Sequence, residues 1–191
     1  MKLNQLLISF IVIITFSTSI LADDKCISIS LGGFIPSQKS IKISNGNSNI
    51  ASGINCTIDY EYQLNAKWTL LSGFQIASTE SKETLINLSN GTVGKIEYNY
   101  SALSCSAKYY LNPRDSIRIY GLGGLALSKL EIKFSGLDES DNNLGIYLGV
   151  GAERMISKKI KLGIQGDFRT GSKDSIKLGG TAIGLRIGYI F

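Results

Sequence analysis

Histidine is absent from the 191 residues. Its absence removes the commonest general base at neutral pH, any Ser-His-Asp arrangement and imidazole-based metal sites. Proline occurs twice, so little interrupts backbone pairing. Cysteine occurs three times, at Cys26, Cys56 and Cys105. An odd number at these separations fits neither a metal spacing nor a complete disulfide framework. No basic run of the kind that grips nucleic acid is present. Beyond the first 22 residues, no apolar stretch approaches the roughly 20 residues of a spanning helix. Yet 43% of the residues are hydrophobic and 21 are glycine. The apolar residues are therefore spread in alternation rather than massed in runs.

Lys2 is the only charge among the first 22 residues, and 6–16 is almost wholly apolar before Ser17-Thr18-Ser19-Ile20-Leu21-Ala22. This is the pattern of a cleaved export signal over 1–22, with the cut after Ala22. The run is too short for a spanning anchor, and Cys26 is too far from the cut for a lipid-modified cysteine. Residues 23–191 are then one domain. Without Lys2, nineteen basic residues face fifteen acidic ones, a mild +4.

Period-two alternation recurs through that domain. In 54–64, Ile54, Cys56, Ile58, Tyr60, Tyr62 and Leu64 oppose Asn55, Thr57, Asp59, Glu61 and Gln63. In 160–169, Ile160, Leu162, Ile164 and Phe168 oppose Lys161, Gln165, Asp167 and Arg169. At the end, Leu185, Ile187, Tyr189 and Phe191 oppose Arg186 and Gly188. Further segments are 27–32, 68–77, one ending at Leu111, 117–127 and 144–155. In the segment ending at Leu111 the phase changes between Tyr100 and Leu103, which predicts a bulge. Cys26 falls on the inward face and Cys56 and Cys105 on the outward one, a geometry against a disulfide. Gly121-Leu122-Gly123-Gly124-Leu125-Ala126 resembles a dinucleotide fingerprint, but the following residues keep strand alternation where a helix is needed.

Bulky apolar residues outside and mixed charges inside predict an all-β fold: an eight-stranded antiparallel transmembrane β-barrel of up-and-down topology. Short connections at 65–66, 112–115 and 157–158 alternate with longer links around 36–51, 78–93, 128–143 and 170–177. That asymmetry places the short turns in the periplasm and the long links outside the cell. Asn45-Gly46 and Asn90-Gly91 suit type I′ turns and are expected at the tips of extracellular hairpins. Alternation within 130–134 predicts strands that continue past the bilayer. A soluble barrel with an apolar lumen is a further possibility; it requires inverted faces, with Ile58, Tyr60, Ile187 and Phe191 inside.

The predicted lumen charges are Asp59, Glu61, Glu153 and Asp167 with Lys108, Arg118, Lys161, Arg169 and Arg186. In so narrow a barrel they should pair and fill the interior.

The second half resembles the small outer-membrane β-barrels, the OmpA/OmpX-like porin-family barrels. The likeness lies in Ala107-Lys108-Tyr109-Tyr110-Leu111-Asn112-Pro113 and Ile119-Tyr120-Gly121-Leu122-Gly123-Gly124. It continues in Leu148-Gly149-Val150-Gly151-Ala152-Glu153-Arg154 and Gly184-Leu185-Arg186-Ile187-Gly188-Tyr189-Ile190-Phe191. It implies a barrel in the Gram-negative outer membrane. It also implies that Tyr189 and Phe191 form the signal read by the barrel-assembly machinery. The lipid A-modifying barrels of that membrane depend on a histidine, so their activities do not carry over. No catalytic residue, cofactor or metal is expected. The expected partners are outer-membrane lipid, the assembly machinery and host or neighbouring-cell surface molecules, with no nucleic acid. The expected state is a monomer. A non-enzymatic surface protein or adhesin acting through its hairpins is the leading expectation; a structural or narrow-channel, porin-like barrel is the alternative.

Overall fold

The computed structural model describes residues 25–37, 40–43, 46–81, 85–86, 93–134, 137–173 and 176–191. The expected signal over 1–22 lies outside them. The strands in chain order are β1 (Lys25–Pro36), β2 (Ser40–Ile43), β3 (Gly46–Asn49), β4 (Gly53–Gln63), β5 (Trp68–Glu80) and β6 (Leu85–Ile86). They continue with β7 (Val93–Gly94), β8 (Glu97–Tyr110), β9 (Ile117–Phe134), β10 (Leu137–Met155), β11 (Ile160–Lys173) and β12 (Ile176–Ile190). Eight of them, in the order β1-β4-β5-β8-β9-β10-β11-β12, close into one antiparallel barrel. The strands β2–β3 and β6–β7 form two small hairpins inserted in the first two long links. Closure pairs β1 with β12 from Cys26↔Ile190 to Pro36↔Gly180. A closed ladder satisfies the backbone internally, which is what permits strands to cross lipid. No described helix is long and apolar enough to cross a membrane.

Side chains alternate across the wall as the strand period requires. Ile187 is 51% exposed and its neighbour Arg186 2%; Ile58 is 49% exposed and Asp59 1%. Phe191 is also exposed. The apolar face points outward, so the soluble barrel with an apolar lumen is excluded. The expected bulge in β8 is also absent. Its ladders run without a break from Glu97 to Tyr109 with β5 and from Glu97 to Tyr110 with β9. Tyr98 and Tyr100 point inward and are buried, in phase with Ala102, Ser104, Ser106 and Lys108. Two inward tyrosines imitate a phase change because an aromatic ring reads as an outward residue in a sequence of this kind.

Each short connection is held by a side chain that accepts from the backbone beyond it, as Asn and Ser do in turns. Asn65 Oδ1 accepts from Lys67 N at 2.9 Å and Trp68 N at 3.0 Å. Asn112 Oδ1 accepts from Ile119 N at 2.6 Å, and Ser157 Oγ from Ile160 N at 3.1 Å. Around this rim Trp68 packs on Tyr109 with ring centroids 4.8 Å apart, and Tyr189 and Phe191 are exposed. Aromatic girdles of this kind sit at bilayer interfaces.

The upper edge of the apolar band is equally legible. Leu127 pairs with Leu144 and Leu103; two residues on, Lys129 pairs with Asn142 and Ser101. From Lys129↔Asn142 upward β9 and β10 stay paired to Phe134↔Leu137, six rungs in all. At ~3.4 Å per residue this ribbon is roughly 20 Å long. β11 and β12 likewise stay paired to Lys173↔Ile176.

Gly73 of β5 has a specific reason to lack a side chain. It pairs with Asp59, and a Cβ there would stand 2.1 Å from Asp59 Oδ1. The missing side chain is the space the carboxylate occupies.

Candidate functional site

The lumen is packed with side chains and is most polar near the short turns. Glu61 of β4 is its hub. Its Oε1 accepts from Ser28 Oγ at 2.5 Å and Arg186 Nη2 at 2.9 Å. Its Oε2 accepts from Lys108 Nζ at 2.9 Å and Lys161 Nζ at 2.7 Å. Glu153 of β10 accepts from Tyr110 Oη at 2.6 Å, Arg118 Nη2 at 2.7 Å and Lys108 Nζ at 3.3 Å. Arg186 Nη1 also reaches Asp59 Oδ2 at 2.5 Å. Charge-assisted bonds of this density offset the penalty of removing ions from water. Both glutamates are saturated with donors, so neither is left as a free base.

Asp167 and Arg169 stand apart from that network, 3.7 Å from each other. Arg169 bonds Gln75 and lies 4.3 Å over the Tyr147 ring. Gln165 joins the two groups: its Oε1 accepts from Arg186 Nη1 and Tyr120 Oη, both at 3.0 Å. Its Nε2 donates to Tyr147 Oη at 3.1 Å and Asp167 Oδ2 at 3.3 Å. All nine charges named from the sequence are in the lumen. The residues the sequence reading missed are Tyr110, Tyr120, Tyr147 and Gln75; it places Gln165 on the inward face but misses its role as the link between the two groups. Strand phase was the signal that could have found them. Tyr110 lies two residues from Lys108, and Tyr120 two from Arg118.

Toward the long links the lumen turns apolar. Phe34 of β1 and Tyr100 of β8 stack with centroids 5.4 Å apart, across the space spanned by β4 and β5. Ala77, Ala102 and Ala182 pack with them. Above this layer Ile50, Ile96 and Tyr98 form a second apolar cluster with Leu130 and Ile132 of the β9–β10 ribbon. Backbone bonds tie it together: Ala51 N to Glu80 O at 2.8 Å, and Ser81 N to Ile96 O at 2.8 Å.

The expected hairpin tips are only partly in view. Gly46 opens β3 opposite Ile43, one position into the returning strand rather than at the turn. Asn45, Asn90 and Gly91 lie outside the described residues. Tyr189 faces outward at the short-turn rim, and Phe191 N donates to Lys25 O at 3.0 Å as the last bond of the closure. Among the described residues the three cysteines are free thiols, with Cys26 buried and Cys105 exposed. No described group of His, Cys, Asp and Glu could hold a metal.

The chain is similar in fold to several solved barrels. Neisserial surface protein A shares 12% identity at a TM-score of 0.55, over 87% of this chain and 94% of that one. The attachment invasion locus protein Ail of Yersinia pestis shares 18% at 0.55, over 90% and 100%. The N-terminal β-barrel domain of Pseudomonas aeruginosa OprF shares 15% at 0.53, over 87% and 97%. Among curated proteins no sequence matches. The sequence profile of the outer membrane protein beta-barrel domain matches residues 9–191. The chain thus belongs to the outer membrane protein β-barrel family and is a barrel of the Gram-negative outer membrane.

Proposed function

We propose that this barrel is a non-enzymatic surface-recognition protein, an adhesin that works through the sheet it raises above the membrane. The observation that carries the reading is the six-rung extension of β9 and β10 beyond the apolar band. β5 and β8 continue beside it to Glu80↔Glu97 and Glu97↔Lys133, so the extension is a sheet rather than a loose loop. Its inner face is packed on Ile50, Ile96 and Tyr98. The outer face carries Lys129, Glu131 and Lys133. The β10–β11 ladder starts at Ile146↔Thr170, which leaves β10 above it as an edge. Sheet edges offer backbone donors and acceptors to an added strand. The lumen below is filled by the Phe34–Tyr100 stack and the ion network, which weighs against a channel. The short turns face the periplasm and the sheet faces outward, the arrangement usual for such barrels.

The test joins Lys129 to Asn142 through a two-residue Asn-Gly turn and, separately, replaces 85–93 with a short turn. Binding of expressing cells to host-surface and neighbouring-cell proteins should fall while the purified barrel still folds. Unchanged binding after every long link is trimmed, with reproducible ion conductance from the purified barrel, overturns the reading in favour of a narrow channel.

A further inference from the structure

The ion network around Glu61 does not balance. Its connected members are Asp59, Glu61 and Glu153 against Lys108, Arg118, Lys161 and Arg186. Four cations meet three carboxylates, which leaves one positive charge in a largely dehydrated space. A cavity of about 260 Å³ opens beside it at the short-turn end of the lumen. That is roughly the volume share of eight or nine waters. Its lining includes Arg118, Lys161, Lys158 and Glu61, with the neutral donors Thr69 and Gln63. Among the described residues Lys158 makes no ion pair, and Arg118 Nε is buried without a hydrogen-bond partner. Glu61 is already saturated by four donors, so its charge is spent within the network.

We infer that this mouth of the barrel is a binding site for a compact oxyanion, a phosphate, sulfate or carboxylate group, held by Arg118 and Lys158 against the surplus charge of the network. A guanidinium presents a fork that suits such a group, and an ion that neutralises an uncompensated buried charge removes a large penalty. The anion can be free or borne by a larger periplasmic molecule. The inference is independent of the adhesin reading, since it concerns the opposite end of the barrel.

The experiment uses the refolded full barrel in uncharged detergent with inorganic phosphate as probe. Its unfolding midpoint is followed against phosphate, with chloride at matched ionic strength as control. A saturable rise with phosphate is expected. Apparent affinity should be roughly tenfold weaker in Lys158→Gln, the loss of one charge-assisted contact, and should vanish in Arg118→Gln. Lys158 is on the exposed rim, so its variant keeps the test valid if Arg118→Gln misfolds. An equal effect of chloride would mean general screening and overturns the site. So does an unaltered phosphate response in both variants. Asp23 and Asp24 precede β1 in sequence; if only their replacement by Ser creates phosphate binding, the chain supplies its own anion and the proposal fails.

Discussion

Glu61 and Arg186 are 125 positions apart in the chain and 2.9 Å apart in the lumen, joined by a hydrogen-bonded ion pair between two buried side chains. Glu61→Gln should therefore leave Lys108, Lys161 and Arg186 short of a counter-charge. Breaking a buried pair of this kind costs about 3–5 kcal/mol. The expected outcome is a lower urea midpoint of the barrel in lipid vesicles, read by the mobility difference between folded and unfolded forms. A stability equal to wild type would mean that the hub is dispensable.

The wall should discriminate sharply between its faces. Ile187→Arg places a charge on the lipid side and should destabilise by about 2–4 kcal/mol if it lies near the midplane. Thr57→Ser, which removes a methyl group from the buried lumen face, should lower stability by less than about 1.5 kcal/mol. Equal tolerance of both in insertion and unfolding assays would contradict the assigned faces.

Gly73→Ala should act through Asp59. The new methyl group would overlap Oδ1, forcing the carboxylate away from Arg186. Overpacking of this type costs about 1–3 kcal/mol. In a double-mutant cycle with Asp59→Ala the two effects should be strongly non-additive, because the second change removes the atom that the first one meets. Additive losses would show that the glycine is needed for another reason.

Orientation follows from the two rims. A protease site inserted at Asn45-Gly46 or Asn90-Gly91 should be cut on intact cells, and one at Asn112-Pro113 should be protected. Cutting only at Asn112-Pro113 would invert the barrel.

The barrel itself was legible because period two is a short-range signal. Ile58 beside Asp59, or Ile187 beside Arg186, declares two faces without reference to any other part of the chain. The inward charges followed from the same phase. What stayed hidden were partners rather than faces. Nothing near Glu61 in sequence announces Arg186, and nothing near Phe34 announces Tyr100, because barrel register brings them together. The predicted bulge in β8 failed for a related reason: a tyrosine serves either face, and only its cross-lumen neighbour decides which. Alternation within 130–134 announced the strands of the link around 128–143, whereas the link around 170–177 looked like a loop by position yet carries the β11–β12 ladder to Lys173↔Ile176.

The cluster of Ile50, Ile96, Tyr98, Leu130 and Ile132 supplies the links with a common anchor. Segments arriving from three separate links are fastened at one point above the membrane, while the hairpins β2–β3 and β6–β7 extend from it. Sequence at the hairpin tips can then drift, or be exchanged for a foreign epitope, without loosening the fastening. A change at Ile50 or Ile96 would instead disturb all three links at once. For antigenic variation and for peptide display alike, the five anchors set the boundary between what the surface can vary and what it must keep.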